Sequence, residues 1–123
     1  MEFIKTENAP AAIGPYSQGT IINGTIFVSG QLPINMETGN LESDVRKATR
    51  ASLSNVLSIV EAGGSSLGKI AKVNVFVKNM EDFGTINEEY DEFFKGHKPA
   101  RALVEVAKLP KDAVIEIEAI AEV

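Results

Sequence analysis

The apolar residues of this chain switch period along its length, and that switching constrains the fold more than any bulk property. Thr20-Ile21-Ile22 and Thr25-Ile26-Phe27-Val28 are β-branched and aromatic runs flanking Asn23-Gly24. That dipeptide tolerates the positive φ angles of a tight turn, so the segment predicts a β-hairpin. From Asp44 to Ala62 the residues Val45, Ala48, Leu53, Val56, Leu57 and Val60 fall at three-and-four spacing. This predicts a long amphipathic helix, with Ser43 available as a cap and Gly63-Gly64 as the stop. Ile70 to Val77 returns to alternation and reads as a strand, with Val73, Val75 and Val77 on one face and Asn74 and Phe76 on the other. Asp82 to Phe94 carries Phe83, Ile86, Tyr90, Phe93 and Phe94 at helical spacing and is closed by Gly96 and Pro99. Two further alternating runs follow, Arg101 to Val106 and Val114 to Ala121, separated by the turn-like Leu109-Pro110-Lys111-Asp112.

The order is therefore strands, helix, strand, helix, then strands. It predicts an α+β fold, a mixed sheet with both helices on one face. At 123 residues the chain has room for a single domain spanning 1–123. In the last two strands Arg101, Leu103 and Glu105 share one face, and Val114, Glu116, Glu118 and Ile120 share another. Both faces mix charge with apolar groups. A sheet covered by helices on one side would leave such hydrophobes in water on the other, which predicts a homo-oligomer.

Composition removes several function classes. With 44% hydrophobic and 24% charged residues the chain has the balance of a folded globular protein. No run approaches the roughly 20 apolar residues of a membrane span, and Met1-Glu2-Phe3-Ile4-Lys5 lacks the basic and apolar segments of a signal peptide, so a cytoplasmic location with no membrane partner is expected. Zero cysteines exclude disulfides, thiolate metal sites and a cysteine nucleophile, and a single histidine, His97, makes a poor metal site. A net charge of −5 disfavours nucleic acid as a partner.

A few residues could carry chemistry. Gly14-Pro15-Tyr16-Ser17-Gln18-Gly19 combines a turn with an aromatic hydroxyl and an amide, and its glycines do not form a phosphate-cradling pattern. On residues alone it is a turn. Ser29-Gly30-Gln31, where a strand ends, offers a hydroxyl and an unhindered backbone N–H, or is simply a junction that needs glycine's freedom. Arg101 opens a strand just after Lys98-Pro99-Ala100, where a guanidinium could hold a carboxylate through two parallel hydrogen bonds or form a surface ion pair. Glu116 and Glu118 project to one side of a hydrophobic strand. Such a carboxylate is either a general base with a raised pKa, a solvated group, or a partner for Arg101. Asn87 reads as a solvent-facing helix residue and His97 as a loop residue near a helix end.

Several separated segments together resemble the RidA/YjgF family. They are Ala9-Pro10-Ala11-Ala12-Ile13-Gly14-Pro15-Tyr16-Ser17-Gln18-Gly19, Ser29-Gly30-Gln31-Leu32-Pro33, Pro99-Ala100-Arg101 with Val104 to Asp112, and Ile115-Glu116-Ile117-Glu118-Ala119. The likeness runs nearly end to end. It implies a chorismate-mutase-like α+β fold and a homotrimer with ligand clefts between subunits. It further implies hydrolysis of 2-iminobutanoate, 2-iminopropanoate and related enamines to 2-keto acids and ammonia, with no cofactor and no metal. By the same resemblance Arg101 grips the substrate carboxylate, Glu116 positions or activates the attacking water, Tyr16 and Ser29 line the cleft, Gly30 makes a backbone contact, and Asn87 is a neighbouring cleft residue.

One position departs from the family pattern. Many members carry a cysteine two residues after the arginine, where this chain has Leu103. Thiol-dependent regulation therefore does not transfer, whereas the hydrolysis does not need that thiol. Two other readings compete: a non-catalytic regulator that binds a 2-keto acid in the same cleft, and an RNA-acting translation inhibitor or ribonuclease. The acidic balance and the absence of a basic-aromatic stripe count against the second.

Overall fold

The computed structural model describes residues 1–123. In chain order the elements are β1 (Glu2–Ile4), β2 (Gly19–Ile22), β3 (Thr25–Gln31), α1 (Val45–Ala62), β4 (Ile70–Val77), α2 (Phe83–Phe94), β5 (Ala100–Glu105) and β6 (Ile115–Glu122). Asn23 and Gly24 both take positive φ, 49° and 74°. That is the backbone twist a two-residue hairpin requires, and it pairs Ile22 with Thr25. The cap of α1 is Asp44 rather than Ser43, its carboxylate accepting from the Lys47 amide at 3.0 Å. The helix stops at Ala62, before Gly63-Gly64, as the spacing predicts. β1 has no counterpart among the predicted strands.

The strands form one sheet of six in the order β1-β2-β3-β6-β4-β5. Only β4 and β5 run parallel, so the sheet is mixed. That parallel pairing needs a crossover, and α2 supplies it. Val28, Val73, Val75, Val77, Ile115, Ile117, Ala119 and Ala121 point to one face. There they meet Ala48, Leu53, Val56 and Ile59 of α1 and Ile86, Phe93 and Phe94 of α2 in one buried cluster of 21 residues. Both helices thus cover the same face. Each fully buried Leu or Ile contributes about 1.5–3 kcal/mol. The helices are also joined by charge: Arg46 bonds Glu88 at 2.6 Å, and Glu89, 5% exposed, accepts from both Arg46 and Arg50.

The opposite face carries no helix. The registers Phe3↔Thr20↔Phe27↔Ile120 and Glu116↔Phe76↔Val104 place these residues side by side on it. Phe3 is 68% exposed, Val104 45% and Phe27 43%. The expected apolar open face therefore exists, but its membership differs from the sequence reading. Glu116, Glu118 and Ile120 lie on it, whereas Arg101, Leu103 and Glu105 register with Val73, Val75 and Val77 and so face the helices. No helix is long and apolar enough to cross a membrane.

Candidate functional site

On the open face a bulge assembles the first group of site residues. Between β3 and β6 the register runs Val28↔Ala119 and then Gln31↔Ile117, so three steps on one strand meet two on the other. An extra residue of this kind at Ser29-Gly30 bends the bulged strand, a common way to re-aim groups beside a site. A Cβ on Gly30 would lie 2.9 Å from Cδ of Glu116. Gly30, one residue before β3 ends, is therefore required by space, the Glu116 carboxyl lying against its backbone, rather than by a backbone angle only glycine adopts.

Ser29 ties this bulge to the Gly14–Gly19 segment. Its hydroxyl donates to the Ser17 carbonyl at 2.6 Å, and its amide donates to the Gln18 carbonyl at 2.9 Å. The hydroxyl proton is thus committed, leaving the oxygen able to accept. Tyr16 is half exposed, and its hydroxyl accepts from the Ile13 amide at 3.3 Å. Gln18, 3% exposed, pins the N-terminal segment: its Oε1 accepts from the Thr6 amide and its Nε2 donates to the carbonyls of Thr6, Ala9 and Pro10. In the bare sequence Gln18 is only the amide of a turn. Its signal, an amide buried among glycine and proline, emerges only once the loop is folded.

Glu116 accepts no hydrogen bond within the chain, whereas Glu118 beside it accepts from Asn74 Nδ2 at 3.0 Å. Burial holds the Glu116 carboxyl above its ordinary pKa, and the Glu118 charge adds to that rise. A carboxylate in such a place is a stronger base than a solvated one.

The second group lies on the helix face. Arg101 donates from Nη1 to Asn87 Oδ1 at 2.7 Å, and its guanidinium carbon lies 4.8 Å from the ring centroid of Tyr90. Asn87 is thus a half-buried acceptor for arginine rather than a solvent-facing residue. Together with His97, Lys98 and Pro99 these residues line an open depression of about 490 Å³. The chain has three arginines, and Arg46 and Arg50 are both paired with glutamates of α2, whereas Arg101 has no carboxylate partner. The surface ion pair and the pairing with Glu116, both open from sequence, are therefore absent. His97 is held by a 2.7 Å contact between Nε2 and the Ile70 carbonyl.

These two groups do not meet within the chain. Arg101 registers with Val73 and Ala119, while Glu116 registers with Phe76 and Val104. They are two strands apart and displaced along the strands, so about 10 Å across the sheet and about 10 Å along it, and they point to opposite faces. One group holds a guanidinium without a carboxylate partner; the other holds a carboxyl packed against the Gly30 backbone.

The family described as Endoribonuclease L-PSP matches residues 6–123. The 2-iminobutanoate/2-iminopropanoate deaminase of Escherichia coli (strain K12) is 55% identical over 121 residues, covering 96% of this chain and 94% of that protein. Among solved structures, E. coli TdcF with bound serine superposes with a TM-score of 0.96 at 48% identity, covering 100% of this chain and 99% of that one. The E. coli YjgF gene product superposes with a TM-score of 0.95 at 54% identity, covering 99% and 98%.

Proposed function

This chain belongs to the Endoribonuclease L-PSP family, the family of the RidA/YjgF deaminases, and on that premise we propose that it is a hydrolytic deaminase of 2-imino acids, converting 2-iminobutanoate and 2-iminopropanoate to 2-keto acids and ammonia. The observation that carries the reading is the pair of unpartnered groups: a guanidinium without a carboxylate and a carboxylate of raised pKa without a donor. Because they point from opposite faces of one sheet, a single small substrate meets both only where two copies abut. The reading therefore includes a homo-oligomer, a homotrimer with its clefts between subunits. The apolar open face with Phe3, Phe27 and Val104 and the uncovered edge of β5 supply surface for that assembly.

In the proposed cleft, Arg101 of one copy clamps the substrate carboxylate with its free guanidinium edge while Asn87 holds Nη1. Glu116 of the next copy takes a proton from water as the oxygen bonds to C2, and the C=N electron pair moves onto nitrogen, which receives that proton. The resulting carbinolamine then collapses. Glu116 takes the hydroxyl proton, C=O forms, the C–N bond breaks, and nitrogen leaves as ammonia carrying that proton. Glu116 ends as the carboxylate it began as. In the same proposal Tyr16, Ser29 and the Gly30 backbone line the cleft with Glu116, a role supported by the packing of Gly30 against the Glu116 carboxyl and by the Ser29 hydroxyl bond to Ser17, next to Tyr16 in the chain. An imine carbon is already electrophilic, so positioning and proton transfer suffice.

The bound serine of the TdcF crystal structure fits this reading, since an amino acid presents the carboxylate an arginine clamp would take. The word endoribonuclease in the family's description finds less support here. The net charge is −5 and the single histidine is engaged with a backbone carbonyl. We place the activity in the cytoplasm, where such imines would be released.

Subunit mixing tests the reading directly. Ammonia release from 2-iminobutanoate generated in situ is compared for the wild type, Arg101→Ala, Glu116→Ala, and the two variants mixed after subunit exchange. Each variant alone should lose at least about 100-fold. In a random equal mixture about one cleft in four combines an intact arginine with an intact glutamate, so roughly a quarter of wild-type activity should return. Wild-type turnover by Arg101→Ala overturns the clamp. No release by the wild type, with 2-ketobutanoate still bound, replaces the deaminase with a keto-acid-binding regulator.

A further inference from the structure

An arginine that clamps a carboxylate must present its planar fork in one orientation, and an arginine side chain is otherwise among the most freely rotating. The structure provides a frame for it on α2. Phe83, Asn87 and Tyr90 stand four and three residues apart and so share one helix face. The Arg101 guanidinium carbon lies 4.8 Å from the Tyr90 centroid and 6.0 Å from that of Phe83, and Nη1 reaches Asn87 Oδ1 at 2.7 Å. Nε and Nη2 make no hydrogen bond within the chain. One nitrogen is thus fixed, one face is borne on an aromatic ring, and the remaining donors stay free.

Tyr90 is only 8% exposed, and its hydroxyl is buried without a hydrogen-bond partner. A buried tyrosine hydroxyl usually finds a partner. The useful part of this side chain is therefore its ring. We propose that Tyr90 is a positioning residue for the carboxylate clamp, its aromatic face setting the plane of the Arg101 guanidinium so that the free edge meets the substrate carboxylate. The inference rests on the clamp role of Arg101 proposed above, and it assigns the hydroxyl no part in binding or chemistry.

The test separates ring from hydroxyl and orientation from folding. KM and kcat for 2-iminobutanoate, calorimetric affinity for 2-ketobutanoate, and melting temperature are measured for the wild type, Tyr90→Phe and Tyr90→Leu. Tyr90→Met, which fills similar space without an aromatic face, replaces the leucine variant if that one does not fold. Tyr90→Phe should keep wild-type KM and affinity and melt at or above the wild-type temperature. The aliphatic variant should raise KM and weaken 2-ketobutanoate binding about tenfold, the size expected for a shielded cation–π contact, while kcat falls by much less. Wild-type KM and affinity in the aliphatic variant overturn the proposal, as does a phenylalanine variant that loses as much as the aliphatic one. If the wild type releases no ammonia but 2-ketobutanoate binding shows the same split, the positioning role stands and the deaminase reading falls.

Discussion

The helix-covered face of the sheet and its open face are built from the same strands, residue by residue in alternation, yet they differ in how complete they are. On the covered face Val73, Val75, Val77 and Ile117 are fully buried against α1 and α2, and Arg46 and Arg50 of α1 pair with Glu88 and Glu89 of α2. On the open face Phe3, Phe27 and Val104 stand in solvent and Glu116 lacks a donor. A chain that finishes one face and leaves the other unfinished places its core in the first and leaves the second as the surface for the assembly proposed above. Arg101 is the exception that links them, since it sits on the covered side yet has no carboxylate to answer it.

The sharpest way to break this comparison is to charge the open face. Phe27 is 43% exposed, so Phe27→Glu in an isolated chain should change stability by no more than about 0.5 kcal/mol. If the face is an interface, the same change should shift the protein to monomer in sedimentation velocity and cut ammonia release at least about 100-fold as the clefts are lost. An unchanged sedimentation coefficient with full activity would end the two-copy reading. The covered face should answer in the opposite currency. Ile117 is fully buried at the centre of the sheet, so Ile117→Ala should lower stability by about 2–5 kcal/mol in chemical denaturation. Whatever protein remains folded should keep its assembly and KM. A loss below 1 kcal/mol would mean that the core is not where the packing places it.

A smaller effect is expected where the bulge meets β6. Gly30→Ala would put a methyl 2.9 Å from Glu116 Cδ, in a backbone conformation that alanine can adopt. The carboxyl has to move, so kcat should fall about tenfold with little change in melting temperature. Full activity in this variant would show that Glu116 need not lie against Gly30.

Where period decided an element, the sequence was a sufficient guide. The hairpin at Asn23-Gly24, α1, β4, α2 and β6 all announce themselves through alternation or three-and-four spacing. β1 does not, because it is three residues long with only Ile4 buried, too short to show a period. The side taken by Arg101 was misread for a related reason. Along β5 both parities carry apolar groups, Leu103 on one and Ala102 with Val104 on the other, so alternation cannot say which faces the helices. Pairing beside β4 settles it, and strand order in a sheet is a long-range property that local spacing does not encode. Asn87 was misread because its role is defined by Arg101, 14 residues away. The bulge, and with it the approach of Gly30 to Glu116, likewise depends on β6 lying beside β3.

The finest distinction between the faces concerns how the open one tunes its base. Glu116 is raised in pKa first by burial and second by Glu118, whose own carboxylate is held by Asn74 on the adjacent strand; Lys72 is the cation on this face nearest in register. Removing the Glu118 charge takes away the smaller cause and leaves the larger. Glu118→Gln should therefore move the acid limb of the kcat/KM profile to lower pH, stopping short of an ordinary carboxylate, because burial still acts. Stability carries the opposite sign. A glutamate whose folded pKa is raised contributes stability below its unfolded pKa and loses it as pH rises through the folded value. Glu116→Gln should thus be at least as stable as the wild type at neutral pH, with the difference vanishing once acid protonates both states, even though its turnover is lost. A limb that stays put in Glu118→Gln would assign the rise to burial alone. A Glu116→Gln protein less stable at neutral pH would show instead that the carboxylate is answered by a cation in the assembled protein, which is what a neighbouring Arg101 would supply.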